Sequence, residues 1–276
     1  MTIAIVTDST SDLPANLALI HGINVVPAIL IVNGQSHIDG QGFTREAFYQ
    51  QLPAMKTPPT TATPSSGSFE ETYRRLIEQG ASHIISIHAP ALLSGIFNAA
   101  VIAAKRFGKQ ITVIDSGSIS LGIGFQAIIA AEAALRKQTV DEIMNLIGDL
   151  RRRTHLVAML DTLEYIRRSG RVSWAQASLG TLLQIKPFLK VQEGKVLKLG
   201  EARTRRKGIE RLYELLVKLG KLERLAILHT NAENDARQMM SEFVHLVKSQ
   251  PLIVNVTTII GAHVGPNGLG FVAIVE

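Results

Sequence analysis

The chain has 276 residues and no cysteine. Disulfides, thiolate metal sites and cysteine nucleophiles are thereby excluded, and a reducing cytoplasm is allowed. Nor does any segment reach the ~18 uninterrupted apolar residues of a membrane span. The most apolar helical stretch, 123–135, is short and carries Gln126 and Glu132. The opening apolar run Ile3-Ala4-Ile5-Val6 is cut by Thr7 and Asp8, too soon for a secretory signal. The expectation is a soluble cytoplasmic protein without stable membrane insertion. Catalytic signatures are missing too. There is no Gly-x-Ser-x-Gly elbow, no Gly-x-x-x-x-Gly-Lys-Ser/Thr loop and no Gly-x-Gly-x-x-Gly opening. The eight histidines include no i,i+4 pair, so neither a zinc site nor a cofactor is expected.

The formal charge is +6, and the positive residues are clustered at Arg151-Arg152-Arg153, Arg167-Arg168, Arg171, Arg203, Arg205-Arg206-Lys207 and Arg211. Few aromatics are interleaved with them and no zinc-finger, homeodomain or RNP pattern accompanies them, so the stacking and base-reading parts of a nucleic-acid binder are absent. Two readings of the clusters stand: solvated helix ends, or a surface for an acidic protein partner.

What the chain does have is one plan used three times, an apolar β-branched strand running into a loop of hydroxyls and glycine. The strands are Ile3-Ala4-Ile5-Val6, Ile84-Ile85-Ser86-Ile87 and Ile111-Thr112-Val113-Ile114; their loops are Thr7-Asp8-Ser9-Thr10-Ser11, 88–95 and Asp115-Ser116-Gly117-Ser118. Parallel strands with helices between them would gather all three loops at the carboxyl edge of one sheet, where open α/β folds bind ligands. Loops of hydroxyls and backbone amides favour one small anionic group over a polyphosphate.

Strands near 3–7, 24–32, 83–88 and 111–115 alternate with helical patterns near 14–21, 44–52, 69–79, 95–107 and 120–136, which predicts a mostly parallel sheet covered on both faces. Ser68 with Glu71, and Thr139 with Glu142, have the spacing of capping boxes. A helix over 140–152 ends in three arginines that suit the negative end of its dipole. After Leu156 the pattern turns to short strands. Phe188-Leu189-Lys190-Val191 and Val196-Leu197-Lys198-Leu199 read as an antiparallel hairpin around Gly194. Helices near 205–219 and 233–248 follow, then strands near 252–260 and 270–275. The expected fold is thus α/β in two domains. Residues 1–155 form an α/β domain carrying the loops, and 156–276 an α+β domain with a mostly antiparallel sheet.

Between the first helices lies Lys56-Thr57-Pro58-Pro59-Thr60-Thr61-Ala62-Thr63-Pro64-Ser65-Ser66-Gly67-Ser68. Its prolines lower the entropy cost of holding its hydroxyls toward a ligand. This loop belongs to a series in fixed order: Val6-Thr7-Asp8-Ser9-Thr10-Ser11-Asp12-Leu13, Pro59-Thr60-Thr61, Leu93-Ser94-Gly95, Ile114-Asp115-Ser116 with Ser120-Leu121-Gly122-Ile123-Gly124, the segment from Thr162 to Arg171, Ile185-Lys186-Pro187, Arg203-Thr204 and His263-Val264-Gly265-Pro266. Over its whole length the chain resembles the DegV family, bacterial proteins that include the fatty-acid-binding subunits of fatty acid kinase. It departs from the family pattern at Ala62-Thr63, His88-Ala89-Pro90, Ile96-Phe97-Asn98, Ser169 and Asn267, so the head-group contacts are expected to differ in detail.

The resemblance implies a carrier of a long-chain fatty acid, with the acyl chain buried and the carboxylate near the junction of the domains. It implies carboxylate contacts at Thr61, Ser94 and His263, with Arg171 near the head group or the partner surface. Gly95 adds an amide at a helix N-terminus, where partial positive charge accumulates. Thr60, Asp115 and Ser116 are possible supports; Asp115 could orient a histidine or Ser116, while Asp8 reads as a turn cap. Candidates for the apolar sleeve are Ile96, Phe97, Ile123, Phe125, Ile128, Ile129, Leu182, Leu183 and Ile185. The resemblance further implies that chemistry on the carboxylate belongs to a separate kinase subunit, which Arg167, Arg168, Arg203, Arg205 and Arg206 could dock. The alternative is a serine-dependent hydrolase or transferase on a small acyl substrate, assembled from Ser94, His263 and Asp115.

Overall fold

The computed structural model describes residues 2–177 and 185–276, so the sleeve candidates Leu182 and Leu183 lie outside the described residues. In chain order the first half runs β1 (Ile3–Asp8), α1 (Ala15–Ile20), β2 (Ile23–Val26), β3 (Ile29–Val32), β4 (Gln35–Ile38), α2 (Arg45–Gln51), β5 (Thr60–Ala62), α3 (Ser66–Glu78), β6 (His83–His88), α4 (Ile96–Ala104), β7 (Ile111–Asp115), α5 (Leu121–Leu135) and α6 (Val140–Arg153). It continues with β8 (Thr154–Met159), α7 (Glu164–Ser169), α8 (Ser173–Gln176), β9 (Lys186–Gln192), β10 (Lys195–Ala202), α9 (Arg205–Val217), β11 (Leu222–His229), α10 (Glu233–Phe243), β12 (Leu252–Asn255), α11 (Thr258–Val264) and β13 (Leu269–Val275).

By packing the chain divides into two units. The first comprises 1–29 and 62–152; the second comprises 30–61 and 153–276. The expected boundary at 155 assigned 30–61 to the first domain, whereas this stretch packs with the C-terminal half. Polar ties explain why. Tyr49 Oη donates to Val256 O at 2.9 Å and Thr258 Oγ1 to Asp39 Oδ1 at 2.8 Å, while Asn255 Nδ2 donates to Glu46 Oε1 at 3.1 Å. Such partners, more than 200 residues apart, leave no periodic trace in the sequence.

In the first unit the sheet order is β2-β1-β6-β7, all parallel, with Ile5 opposite Ile23 and Ile85, and His88 opposite Asp115. The loops after β1, β6 and β7 therefore leave from one edge, as their shared plan predicts. Helix α5 supplies much of the cover. It is apolar almost all round, and twelve of its fifteen residues are buried, the pattern of a core helix rather than a surface one. The Thr139–Glu142 capping box forms: Glu142 Oε2 accepts from Thr139 N at 2.7 Å and Thr139 Oγ1 from Glu142 N at 3.3 Å. The other expected box does not. Ser65, in extended conformation, caps α3 by accepting from Ser68 N at 3.1 Å, so Ser68 already lies inside the helix. The single strand expected over 24–32 is two strands, broken at Pro27, which has no N–H to give a ladder; Ala28 N donates to Ser9 Oγ at 3.0 Å instead.

The second unit has a six-stranded sheet in the order β10-β9-β8-β13-β11-β12, antiparallel except for β11 with β12. A small sheet ordered β4-β3-β5 accompanies it. The β9–β10 hairpin turns through Glu193 and Gly194, at φ 50° and 75°, as a two-residue primed turn requires. The core is built from Met159, Phe188, Leu212, Leu216, Ile227 and Phe271. The strand expected over 252–260 stops at Asn255, and the β-branched run Thr257-Thr258-Ile259-Ile260 opens α11 instead, with Thr258, Ile259 and Ala262 buried on one side. Tertiary burial of that helical face overrides the strand preference of its residues.

Helix α11 approaches α2 so closely that a Cβ on Gly261 would lie 2.4 Å from Tyr49 Oη. Gly261→Ala is therefore expected to lower stability by about 2–3 kcal/mol through overpacking, and Tyr49→Phe by about 1 kcal/mol through the lost hydrogen bonds. Urea unfolding checks both; a wild-type midpoint for Gly261→Ala would contradict the close approach.

Candidate functional site

The polar groups expected to act on a ligand form two constellations, one in each unit. In the second unit, β5 presents Thr61 and the last turn of α11 presents His263, and Thr61 Oγ1 lies 2.9 Å from His263 Nε2. Gly265 ends α11 at φ +79°, where an ideal Cβ would be 2.2 Å from the Tyr165 ring of α7; only glycine lets the two helices meet there. Beyond α7, Arg171 N donates to Ser169 Oγ at 3.3 Å, and its Nη1 donates to Ser169 O. Burial pushes His263 down from 6.5 to about 4, and the Arg171 guanidinium adds to the effect. The imidazole is thus neutral at pH 7 even though the helix C-terminus favours its cation. With the proton on Nε2 it donates to Thr61 Oγ1, leaving the threonine O–H free to donate to an acceptor-only carboxylate. Thr60, beside it on β5, is exposed.

In the first unit, Ser94 Oγ accepts from Ile96 N at 3.3 Å and so covers one open donor at the start of α4. Gly95 precedes that helix, and a Cβ there would stand 3.0 Å from Thr63 Oγ1, a packing reason for glycine beside its amide. Ser116 is buried, donating to Ser118 O at 3.0 Å and accepting from Ser118 N at 3.2 Å. Asp115 orients neither a histidine nor Ser116. Its oxygens take the amides of Ala91 at 3.0 Å and Gly117 at 2.9 Å, because it lies where two loops leave the sheet.

The histidine with a carboxylate partner is one the sequence reading did not assign. Asp8 caps its turn as expected, accepting from Thr10 N at 2.9 Å, and also accepts from His88 Nδ1 at 2.9 Å. His88 Nε2 is 2.6 Å from Ser86 Oγ, which is 2.8 Å from Tyr73 Oη. Thr7 pairs with Ile87 in parallel register, so Asp8 and His88 end neighbouring strands, a pairing that only the sheet register reveals. This Asp-His-Ser array is fully buried. The groups of the expected hydrolase set have other partners: Asp115 serves amides, His263 bonds Thr61 and Ser94 bonds Ile96. Among the described residues, no group of three or more acidic or histidine side chains could hold a metal, and no helix is long and apolar enough to cross a membrane.

Of the arginines expected to dock a partner, Arg205 is an internal brace. Its Nε donates to Asp235 Oδ2 at 2.8 Å and its Nη1 to Asn267 O at 2.6 Å. Arg206 pairs with Glu210 on its own exposed face, at 3.1 Å, and Arg168 with Glu164; Arg167 and Arg203 are exposed.

His263 makes a pH prediction. Its folded pKa is depressed, so between pH 6.5 and about 4 the unfolded chain binds the proton more readily, and stability falls as pH falls through that window. Burial also lowers His83, His155 and His229, so the acid loss is shared. His263→Gln should reduce the drop in urea midpoint between pH 7 and pH 5 without abolishing it; an unchanged drop would refute the assignment.

A family model described as "Uncharacterised protein, DegV family COG1307" matches residues 2–276. A DegV domain-containing protein of Streptomyces coelicolor is 36% identical over 274 residues, covering 98% of this chain and 97% of the relative. One from Deinococcus radiodurans is 33% identical over 275 residues, with 98% and 97% covered. Among solved structures, a Thermus thermophilus protein described as "Fatty Acid Binding of a DegV family Protein" superposes with a TM-score of 0.93 at 32% identity, over 100% of both chains. DegV of Bacillus subtilis, described as a fatty acid binding protein, gives 0.87 at 29%, again over 100% of both. With the family model spanning nearly the whole sequence and the fold matched end to end, the chain belongs to the DegV family.

Proposed function

We propose that the chain binds one long-chain fatty acid, takes its carboxylate through Thr61 and His263, and presents it in the cytoplasm to a separate kinase. The observation that carries this reading is the Thr61–His263 hydrogen bond, which couples a neutral imidazole to a hydroxyl donor beside the positive charge of Arg171. The similar proteins of Thermus thermophilus and Bacillus subtilis, described as fatty acid binding, support the ligand class. Ser94 and the amide of Gly95 belong to the same proposal as further donors to the carboxylate, which has about four lone-pair sites to satisfy.

Affinity in this reading comes from the tail. A chain of ~14 methylenes at ~0.8 kcal/mol each gives a gross transfer term of about 11 kcal/mol, less the cost of ordering the chain. Ile96, Ile123, Phe125, Ile128 and Ile129 are buried and Phe97 and Ile185 partly so, which supplies apolar material for a sleeve. The head group sets orientation, and keeps a carboxylate oxygen available to attack the terminal phosphorus of a nucleoside triphosphate held by the partner. An acyl phosphate forms and the diphosphate leaves.

Native mass spectrometry followed by organic extraction tests the carrier reading. The expected result is a stoichiometric mass excess of one fatty acid, lost in Ser94→Ala/His263→Ala; a clean apo mass unchanged after incubation with fatty acids would sink it. For docking, a groove of about 520 Å³ between β10 and α9 carries Arg203, Lys207 and Arg211 alongside Glu201, Glu210 and Glu214, a surface of mixed charge that a partner of complementary pattern would fit. Because Arg205 braces the fold, the informative reversal is Arg203→Glu/Arg206→Glu. Acyl phosphate formation by the kinase should fall about tenfold or more while fatty acid binding holds; parallel loss of both would count against docking.

A further inference from the structure

We infer that Asp115, working with Asp8, is the positioning residue for Ser94. The inference rests on the proposed role of Ser94 as a donor to the ligand carboxylate. The loop between β6 and α4 hangs on Pro90, whose carbonyl accepts from Leu93 N at 2.9 Å and from Ser94 N at 3.0 Å. Proline has no N–H of its own, so the place of that carbonyl is decided by the residues on either side. Both flanking amides end on carboxylates: Ala89 N on Asp8 Oδ2 at 3.3 Å and Ala91 N on Asp115 Oδ2 at 3.0 Å.

A carboxylate suits this work because it accepts at both oxygens and carries no donor to compete with an amide. Asp115 uses its second oxygen on Gly117 N at 2.9 Å, and so ties the β6 loop to the β7 loop. Ser116 N donates to His88 O at 3.0 Å, a further tie across the same two strand ends. Asp8 is the foundation, locked by His88, Ser86 and Tyr73, all fully buried. Asp115 is the outer tie, partly exposed and open to substitution. Ser94 uses Oγ as an acceptor for Ile96 N, which leaves its O–H proton for a ligand, provided the loop aims it.

The test compares wild type, Ser94→Ala, Asp115→Ala and the double variant for palmitate binding, with thermal unfolding and amide hydrogen exchange on each. Asp115→Ala should unfold near the wild-type temperature and bind palmitate about tenfold more weakly, the worth of one or two hydrogen bonds. It should also speed exchange at Ala91 and Ser94 while Ala89 stays protected. In the Ser94→Ala background the same change should cost nothing further, because a positioning residue has nothing left to position. Asp115→Asn should fall between, since its one carbonyl oxygen serves a single amide. Unchanged exchange at Ala91 and Ser94 in Asp115→Ala, or losses that add in the double variant, would overturn the inference. Wild type that binds palmitate no better than Ser94→Ala would remove the role of Ser94, and this inference with it, while leaving the carrier reading intact. Wild type that does not bind palmitate would remove the carrier reading, and amide exchange alone would then decide whether Asp115 holds the loop.

Discussion

A carboxylate buried at the end of a parallel strand must find hydrogen-bond donors or lose several kcal/mol of solvation, and Asp8 is in that position. Its donors come from its own turn at Thr10 and from the neighbouring strand end at His88 and Ala89. Meeting that demand fixes more than one side chain. It sets where the β6 loop begins, it turns His88 so that Ser86 and Tyr73 are bonded in series, and it holds two strand ends in one register. A parallel sheet gathers its loops at one edge by topology. How those loops leave the edge is decided by how its acids are satisfied, Asp8 fully buried and Asp115 partly so.

The second unit solves a different problem. Burial, with the Arg171 guanidinium adding to it, keeps the His263 imidazole neutral at pH 7. That burial depends on two glycines. Gly261 lets Tyr49 lie against α11, and Gly265 lets Tyr165 reach the end of the same helix. The stretch 30–61 belongs to this unit by packing, and it carries Thr61 to the imidazole.

Much of the architecture was legible because it follows from local pattern. Alternating strand and helix runs announced the parallel sheet, and the Gly194 turn announced the hairpin. Thr139 with Glu142 announced the start of α6. The failures also have local causes. Ser68 with Glu71 has the same spacing as a capping box, yet Ser65 is the residue in extended conformation. Residues 257–260 are β-branched and read as strand, yet their burial against α2 makes them helix. Asp115 looked like a partner for a histidine, but Asp8 holds that place and Asp115 holds amides.

By itself the sequence determined the elements, the parallel and antiparallel character of the two sheets, the family, and the residue types a carboxylate would need, because periodicity, turn chemistry and ordered motifs are carried by near neighbours. Only the tertiary structure decided that Thr61 meets His263, that His88 meets Asp8, that Arg205 is a brace and Arg206 is not, and that 30–61 packs with the C-terminal half. These are pairings across 80, 202 or 30 positions, and hydrogen-bond partners so distant are chosen by how the strands stack, which no short stretch of sequence encodes.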